Sequence, residues 1–203
     1  MMTGVSTETA VMLAAIAGYL LGSIPFGLVL TLAAGLGDVR NIGSGSIGAT
    51  NVLRTGRKGL AALTLLLDAA KGGAAVLLGG AIAGVPGIFF GGIASLIGHS
   101  YPVWLKFKGG KGIATGLGVL LVADWRVAVA AGGVWLAVAA LLRISSAAAL
   151  AAAVAAPIFA WLFASPQPVL GLVLVAVALV VLRHKDNIAR LIAGTEPRIG
   201  TKK

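Results

Sequence analysis

No cysteine occurs anywhere in the 203 residues, which excludes disulfides and thiolate metal sites alike. Acidic side chains are scarce, six against sixteen lysines and arginines, and only 11% of the chain is charged where a soluble domain carries about a quarter. So few charges cannot cover a water-facing surface. The two histidines, His99 and His184, stand far apart with no carboxylate cluster beside them, so metal chemistry lacks a ligand set. No G-x-S-x-G occurs, and a hydrolase triad is unsupported. No Lys or Arg precedes Arg40, so the first apolar run lacks the basic flank of a cleaved signal peptide and is expected to stay in the mature protein.

What fills the chain instead is apolar: 59% of residues are hydrophobic, and the mean hydropathy is +1.02. One crossing of a bilayer takes about 20 apolar residues, so the length allows one compact membrane domain over 1–203 and no separate soluble domain. Hydropathy places spans near 9–35, 60–83, 85–100, 112–123, 127–142, 147–164 and 168–182. They are read as helices, because lipid leaves backbone polar groups no other partner. The expected fold is all-α, a polytopic transmembrane bundle of about seven spans. The fourth segment is short for a full crossing, and reads as a tilted helix or a re-entrant piece. The 30 glycines suit helices whose backbones approach closely in lipid.

The basic residues alternate along the chain. Arg40, Arg54, Arg57 and Lys58 fall in the first loop, Lys106, Lys108 and Lys111 in the third, Arg143 in the fifth, and Arg183, Lys185, Arg190, Arg198, Lys202 and Lys203 in the tail. The positive-inside rule then puts the N-terminus outside and the C-terminus in the cytoplasm.

Three polar segments fall on the face so assigned. The first, from Arg40 to Arg54, holds Gly43, Ser44, Gly45, Ser46, Gly48, Thr50 and Asn51, and can offer backbone N–H groups, hydroxyls and an Arg fork to a phosphate. An ordinary solvated loop with helix caps reads the same way. Gly43, Gly45 and Gly48 match G-x-G-x-x-G, yet a membrane helix stands where the dinucleotide fingerprint needs a strand. The second segment carries Gly109-Gly110-Lys111-Gly112 before a helix start, a plausible anion cradle, or a juxtamembrane lysine cluster meeting anionic lipid. It is not a Walker A loop, since Gly112 stands where Ser or Thr would ligate magnesium. The third begins at His184, with Asn187 and Leu191 on the same helical face. Asp68 and Lys71, three apart inside the second span, can pair, and a structural role is the simplest for them.

The ordered run of Gly22-Ser23-Ile24-Pro25, the Gly-Ser-Gly loop, Asp68-x-x-Lys71-Gly72, Gly98-His99, Gly109-Gly110-Lys111-Gly112 and His184-x-x-Asn187-Ile188-x-Arg190-Leu191-x-x-Gly194-Thr195-Glu196 resembles the bacterial acyl-phosphate-dependent glycerol-3-phosphate acyltransferases. The resemblance implies a seven-helix enzyme of the bacterial cytoplasmic membrane that moves a fatty acyl group from acyl phosphate to glycerol-3-phosphate. The products are lysophosphatidic acid and inorganic phosphate, at the start of phospholipid biosynthesis. It implies catalytic roles for Ser44, Arg54, Lys111, His184 and Asn187 and substrate contacts from Gly43, Gly45, Thr50, Asn51, Gly109, Gly110 and Gly112. Asp68, Lys71 and Glu196 look structural. Expected partners are the two substrates, membrane lipid and an acyl-phosphate-producing enzyme; neither a cofactor, a metal nor nucleic acid is expected. Ser46 departs from the pattern, the family commonly having Asn there.

The His-x-x-x-x-Asp pair of acyltransferases that use thioester donors is missing, since Trp104 and Ala189 stand five residues after His99 and His184. The attacking hydroxyl is therefore expected to lose its proton to the leaving phosphate, with Lys111, His184 and Asn187 stabilising developing charge. A Ser44 acyl-enzyme is the alternative. The competing class is a transporter or channel for a phosphorylated solute, which the Asp68–Lys71 pair and the glycine content also permit.

Topology is open to test. In this cysteine-free chain, a Gln167→Cys protein should react with an impermeant maleimide from outside and an Arg57→Cys protein only from the cytoplasm. Cytoplasmic labelling of Gln167→Cys would overturn the seven-span reading.

Overall fold

The computed structural model describes residues 6–200; Lys202 and Lys203 of the basic tail lie outside them. Among the described residues every regular element is helical. Helix α1 (Thr7–Gly22) starts where the Ser6 side chain accepts the N–H of Thr9. The single helix expected over 9–35 is broken at Ser23–Pro25 and resumes as α2 (Phe26–Ala33). Pro25 has no N–H to give and disfavours helical backbone in the residue before it. The loop that follows contains the one-turn helix α3 (Ala49–Val52).

Helix α4 (Lys58–Ser100) is 43 residues long, about twice what the hydrocarbon core accommodates at 1.5 Å per residue. It folds back on itself. Ala83 and Gly84 leave helical geometry, and Gly84 takes φ +63°, a value only glycine adopts freely. Beyond the turn, Gly87 meets Gly79 and Gly91 meets Ala75, pairings that advance in opposite directions along the chain. The two antiparallel limbs correspond to the segments expected over 60–83 and 85–100.

Helix α5 (Ile113–Ala123), with 11 residues, is short, as its sequence suggests. Next come α6 (Trp125–Leu142), α7 (Ser145–Leu162) and α8 (Gln167–Arg183), and α9 (Lys185–Ile192) leaves α8 at 62°. Thr7–Ala33, Lys58–Leu105, Trp125–Leu142 and Ser145–Leu162 are long and apolar enough to cross a membrane, the second of them doubled by its turn.

Small residues bring these helices together. Helix α1 runs along the second limb of α4, Gly18 on Gly91 and Gly22 on Ser95, so closely that a Cβ on either glycine would overlap the opposing backbone. Helix α5 crosses the first limb in the same way, Gly118 on Ala69 and Gly72 on Thr115. Apolar side chains fill the remaining space: Val76, Leu96, Val119 and Leu172 knit α4, α5 and α8, while Val127, Ala156, Ala160 and Val173 join α6, α7 and α8. The outer surface carries Leu66, Leu136, Leu141 and Trp161, each well exposed, the apolar belt that lipid covers.

The packing yields a stability test. Gly22→Ala puts a methyl into the Ser95 carbonyl and should cost about 1–3 kcal/mol as overpacking. Gly133→Ala on α6 meets nothing within 4 Å and should be neutral or slightly stabilising. Thermal unfolding in detergent compares them, and equal midpoints would contradict the close approach.

Candidate active site

At one end of the bundle the chain leaves regular helix three times. In the first segment Asp38 caps a single turn by accepting from the Arg40 N–H at 2.9 Å, and it pairs with the Arg40 guanidinium at 2.6 Å. Asn51, buried on α3, then pins the whole loop. Its amide N–H group donates to the carbonyls of Val39 (2.7 Å), Ile42 (3.1 Å) and Ser46 (2.8 Å), and its carbonyl accepts the N–H of Ser44 at 3.1 Å. Beneath it Leu28, Val39, Ile47, Val52 and Ala61 form an apolar footing. Gly43, at φ +55°, leaves no room for a Cβ because the Arg54 side chain lies against it.

The second segment follows α4. Trp104 Nε1–H donates to the Ser23 carbonyl at 2.6 Å and the Tyr19 hydroxyl to the Tyr101 carbonyl at 2.9 Å, tying the segment to the end of α1. Lys106 and Phe107 turn the chain in left-handed conformation, which is uncommon for side chains of this size. The N–H groups of Gly109 and Gly110 donate to the carbonyls of Ser100 (3.2 Å) and His99 (2.9 Å). Their own carbonyls accept from Arg183 on α8, Nη2 to Gly109 at 3.1 Å and Nε to Gly110 at 3.0 Å. The Arg183 guanidinium also lies over the Tyr101 ring, 4.8 Å from its centre.

The third segment is the bend between α8 and α9. His184 Nδ1–H donates to the Val180 carbonyl at 2.7 Å; a carbonyl can only accept, so Nε2 is left as the acceptor. Glu196 gathers the tail: Oε1 accepts from Asn187 Nδ2 (2.6 Å) and from the Ser146 hydroxyl (2.7 Å), and Oε2 from Arg190 Nε (2.6 Å).

The three segments enclose a cavity of about 210 Å³. Ser44, Gly45 and Ser46 come from the first, Phe107, Lys108, Gly109 and Lys111 from the second, and Arg183, Lys185, Asp186, Asn187 and Arg190 from the third, with Leu182 at its apolar flank. Five cationic side chains against one carboxylate give it the charge that suits an anion. Burial lowers the Lys111 ammonium to about 8, Glu196 opposing and Arg190, Arg54 and Arg183 adding to the shift. Burial likewise lowers His184 to about 4, so at neutral pH its ring is uncharged and holds an acceptor lone pair. Burial pushes the Glu196 carboxyl up, but hydrogen bonds from Ser146, Asn187 and Arg190 outweigh it, and the group stays ionised well into acid.

Of the residues singled out in the sequence, Ser44, Gly45, Gly109, Lys111 and Asn187 line this cavity. Gly43, Asn51, Gly110 and Gly112 are not among its lining residues. Arg54 lies against Gly43, and His184 sits buried at the bend, within electrostatic reach of Lys111. Thr50 lies apart, its hydroxyl sharing a hydrogen bond with that of Ser145 at 3.1 Å on the exposed side. Asp68 and Lys71 pair at 2.6 Å in the bundle interior. Arg183 and Arg190 were read in the sequence as tail charge and motif positions rather than cavity wall. Their spacing held the signal, since Asn187 and Arg190 share a helical face at three residues apart, and Arg183 ends α8 beside His184.

A model of the family described as glycerol-3-phosphate acyltransferase matches residues 12–194. A glycerol-3-phosphate acyltransferase of Caulobacter vibrioides (strain NA1000 / CB15N) is 60% identical over 193 residues, 94% of this chain and 88% of that one. One of Mesorhizobium japonicum is 58% identical over 190 residues, 94% and 96% of the two chains. Two crystal structures of PlsY (YgiH), an integral membrane glycerol 3-phosphate acyltransferase, superpose over 94% of this chain and 96% of theirs. The glycerol 3-phosphate form has a TM-score of 0.88 at 41% identity, and the lysophosphatidic acid form 0.86 at 39%. With a family model over nearly its whole length and relatives this similar, the chain belongs to the glycerol-3-phosphate acyltransferase family.

Proposed function

We propose that this membrane enzyme acylates glycerol-3-phosphate with acyl phosphate as donor, by direct transfer in the cavity between the three segments. The observation that carries the reading is the cavity itself, which joins a basic, glycine-walled cradle to an apolar flank at Phe107 and Leu182. A phosphate suits the first and a fatty chain the second. In the proposed step the glycerol hydroxyl oxygen bonds to the acyl carbon and the bond from that carbon to the phosphate oxygen breaks. The leaving phosphate takes the electron pair and the hydroxyl proton, giving lysophosphatidic acid and inorganic phosphate. Lys111 and Arg183 hold the acceptor's phosphate, and Ser44 and Asn187 orient the reacting groups. His184, uncharged at neutral pH and low in basicity, acts as a hydrogen-bond acceptor rather than as the general base. The identities to glycerol-3-phosphate acyltransferases and the likeness to PlsY in its glycerol 3-phosphate and lysophosphatidic acid forms support this reading.

The same proposal sets the chain as a single domain of about seven crossings in the bacterial cytoplasmic membrane, N-terminus outside and cavity facing the cytoplasm, supported by the alternation of basic loops. An enzyme that makes acyl phosphate is then its natural supplier, because such an anhydride hydrolyses in water.

Lys111 gives two expectations. At neutral pH, Lys111→Ala should weaken glycerol-3-phosphate binding about 10- to 150-fold, the loss of one charge-assisted contact of about 1.5–3 kcal/mol, while Lys106→Ala changes it little. The ammonium must be protonated to hold a phosphate, so the wild-type KM should climb as pH rises through about 8, whereas a Lys111→Arg enzyme keeps its charge and a flat profile. Equal small losses in both alanine variants would assign Lys111 to lipid instead.

The donor is tested by supplying radiolabelled acyl phosphate without acceptor. Direct transfer leaves no stoichiometric label on the denatured protein, acyl-CoA is inert, and Ser44→Ala slows turnover. Label that vanishes in Ser44→Ala, with ping-pong kinetics, would establish an acyl-enzyme instead.

A further inference from the structure

Packed against the Gly109–Gly110 turn lies a polar group that the proposed chemistry does not use. His99, in the last turn of α4, is 2% exposed. Its carbonyl accepts the Gly110 N–H at 2.9 Å, and its ring lies directly under the Gly110 Cα. A Cβ on Gly110 would overlap the imidazole at Nε2, Cε1 and Cδ2, so the ring occupies the space that any other residue there would need. On its far side Nδ1, buried and without a hydrogen-bond partner, faces Asp68 Oδ1 at 3.7 Å. Asp68 pairs with Lys71 at 2.6 Å, and Lys71 Nζ donates to the Ile24 carbonyl at 2.6 Å in the break between α1 and α2. The turn is thus held at two places, by Arg183 on its carbonyls and by the His99 ring against the Gly110 Cα.

We infer that His99, backed by the buried Asp68–Lys71 pair, is a positioning residue for Lys111: its imidazole is the floor on which Gly110 rests, and it sets where the next residue presents its ammonium to the acceptor's phosphate. The chemistry follows from the ring's shape. A flat ring lets a glycine backbone approach to contact, and the Gly110 N–H bond to the His99 carbonyl holds the two residues in register. Without the floor the turn sinks into the vacated volume, and Lys111 moves with it. Such a displacement acts on binding before it acts on bond making.

The inference rests on Lys111 meeting the phosphate of glycerol-3-phosphate as proposed above, and the experiment keeps the two apart. Steady-state kinetics on the purified enzyme compare wild type, His99→Ala, His99→Gln, Gly110→Ala and the His99→Ala/Gly110→Ala double variant. His99→Ala should raise the KM for glycerol-3-phosphate on the order of tenfold with a much smaller change in kcat, as expected for a displaced charged contact. His99→Gln, which keeps a flat donor of similar reach, should fall between. Gly110→Ala should raise the same KM, and the double variant should do better than Gly110→Ala alone, since removing the ring makes room for the methyl. A KM unchanged in His99→Ala, or losses that simply multiply in the double variant, overturns the inference. Should His99→Ala not fold, Gly110→Ala decides, because a methyl there cannot coexist with the ring and a wild-type KM would exclude the floor. A wild-type protein that makes no lysophosphatidate at all would instead refute the proposed function.

Discussion

Helices in lipid gain little by hiding apolar side chains from surroundings that are equally apolar, so contact between backbones has to hold the bundle together. Here that contact is concentrated on α4. Its second limb receives α1 at Gly91 and Ser95, its first limb receives α5 at Ala69 and Gly72, and its own limbs meet at Gly79 and Gly87. Each approach brings Cα atoms against carbonyls and excludes a side chain, so the relative heights of α1, α4 and α5 are fixed to a fraction of a turn. The first irregular segment runs into the start of α4 and the second joins α4 to α5, and both inherit that accuracy. Tyr19 and Trp104 extend it, tying the end of α1 to the segment that carries Lys111.

The cavity uses the same constraint in reverse. Backbone polar groups that lack helical partners are costly in hydrocarbon, so irregular chain gathers at the end of the bundle. There the loose N–H and carbonyl groups are consumed by one another or by side chains. Asn51 absorbs three carbonyls and an N–H of the first segment, and Arg183 absorbs two carbonyls of the second. Glu196 likewise draws in Asn187, Arg190 and Ser146 in the third. What remains uncommitted toward the cavity is chiefly positive charge. Burial then makes Lys111 the cation there whose charge depends on pH near neutrality.

Helical class and membrane character were legible in composition, because so few charges and so much apolar sequence admit no soluble alternative. Segment boundaries were legible to a few residues, with one physical exception. Hydropathy sees Ile24 and Phe26 and cannot see that Pro25 severs the hydrogen bonding between them. Within the site, glycine clusters and the lysine between them suggested an anion cradle, and five of the residues named line one cavity. The support around that cavity was not legible. Asn51 looks like a ligand group in sequence, yet in space all its hydrogen bonds go to its own loop. Arg183 looks like one more tail charge until α8 brings it back to residues 73 and 74 positions earlier. A sequence shows which atoms are available, and only the fold decides which are already taken.

The link from Arg183 to the Gly109–Gly110 carbonyls also sets an order of events during synthesis. Every membrane helix up to α7 can be made and inserted before residue 183 leaves the ribosome, and until then the lysine turn has no lid and the cavity has no third wall. Arg183, Asn187 and Arg190 all follow α7 in the chain and supply that wall. A chain stopped before residue 183 would therefore lack both the Arg183 hold on the lysine turn and the third wall of the cavity.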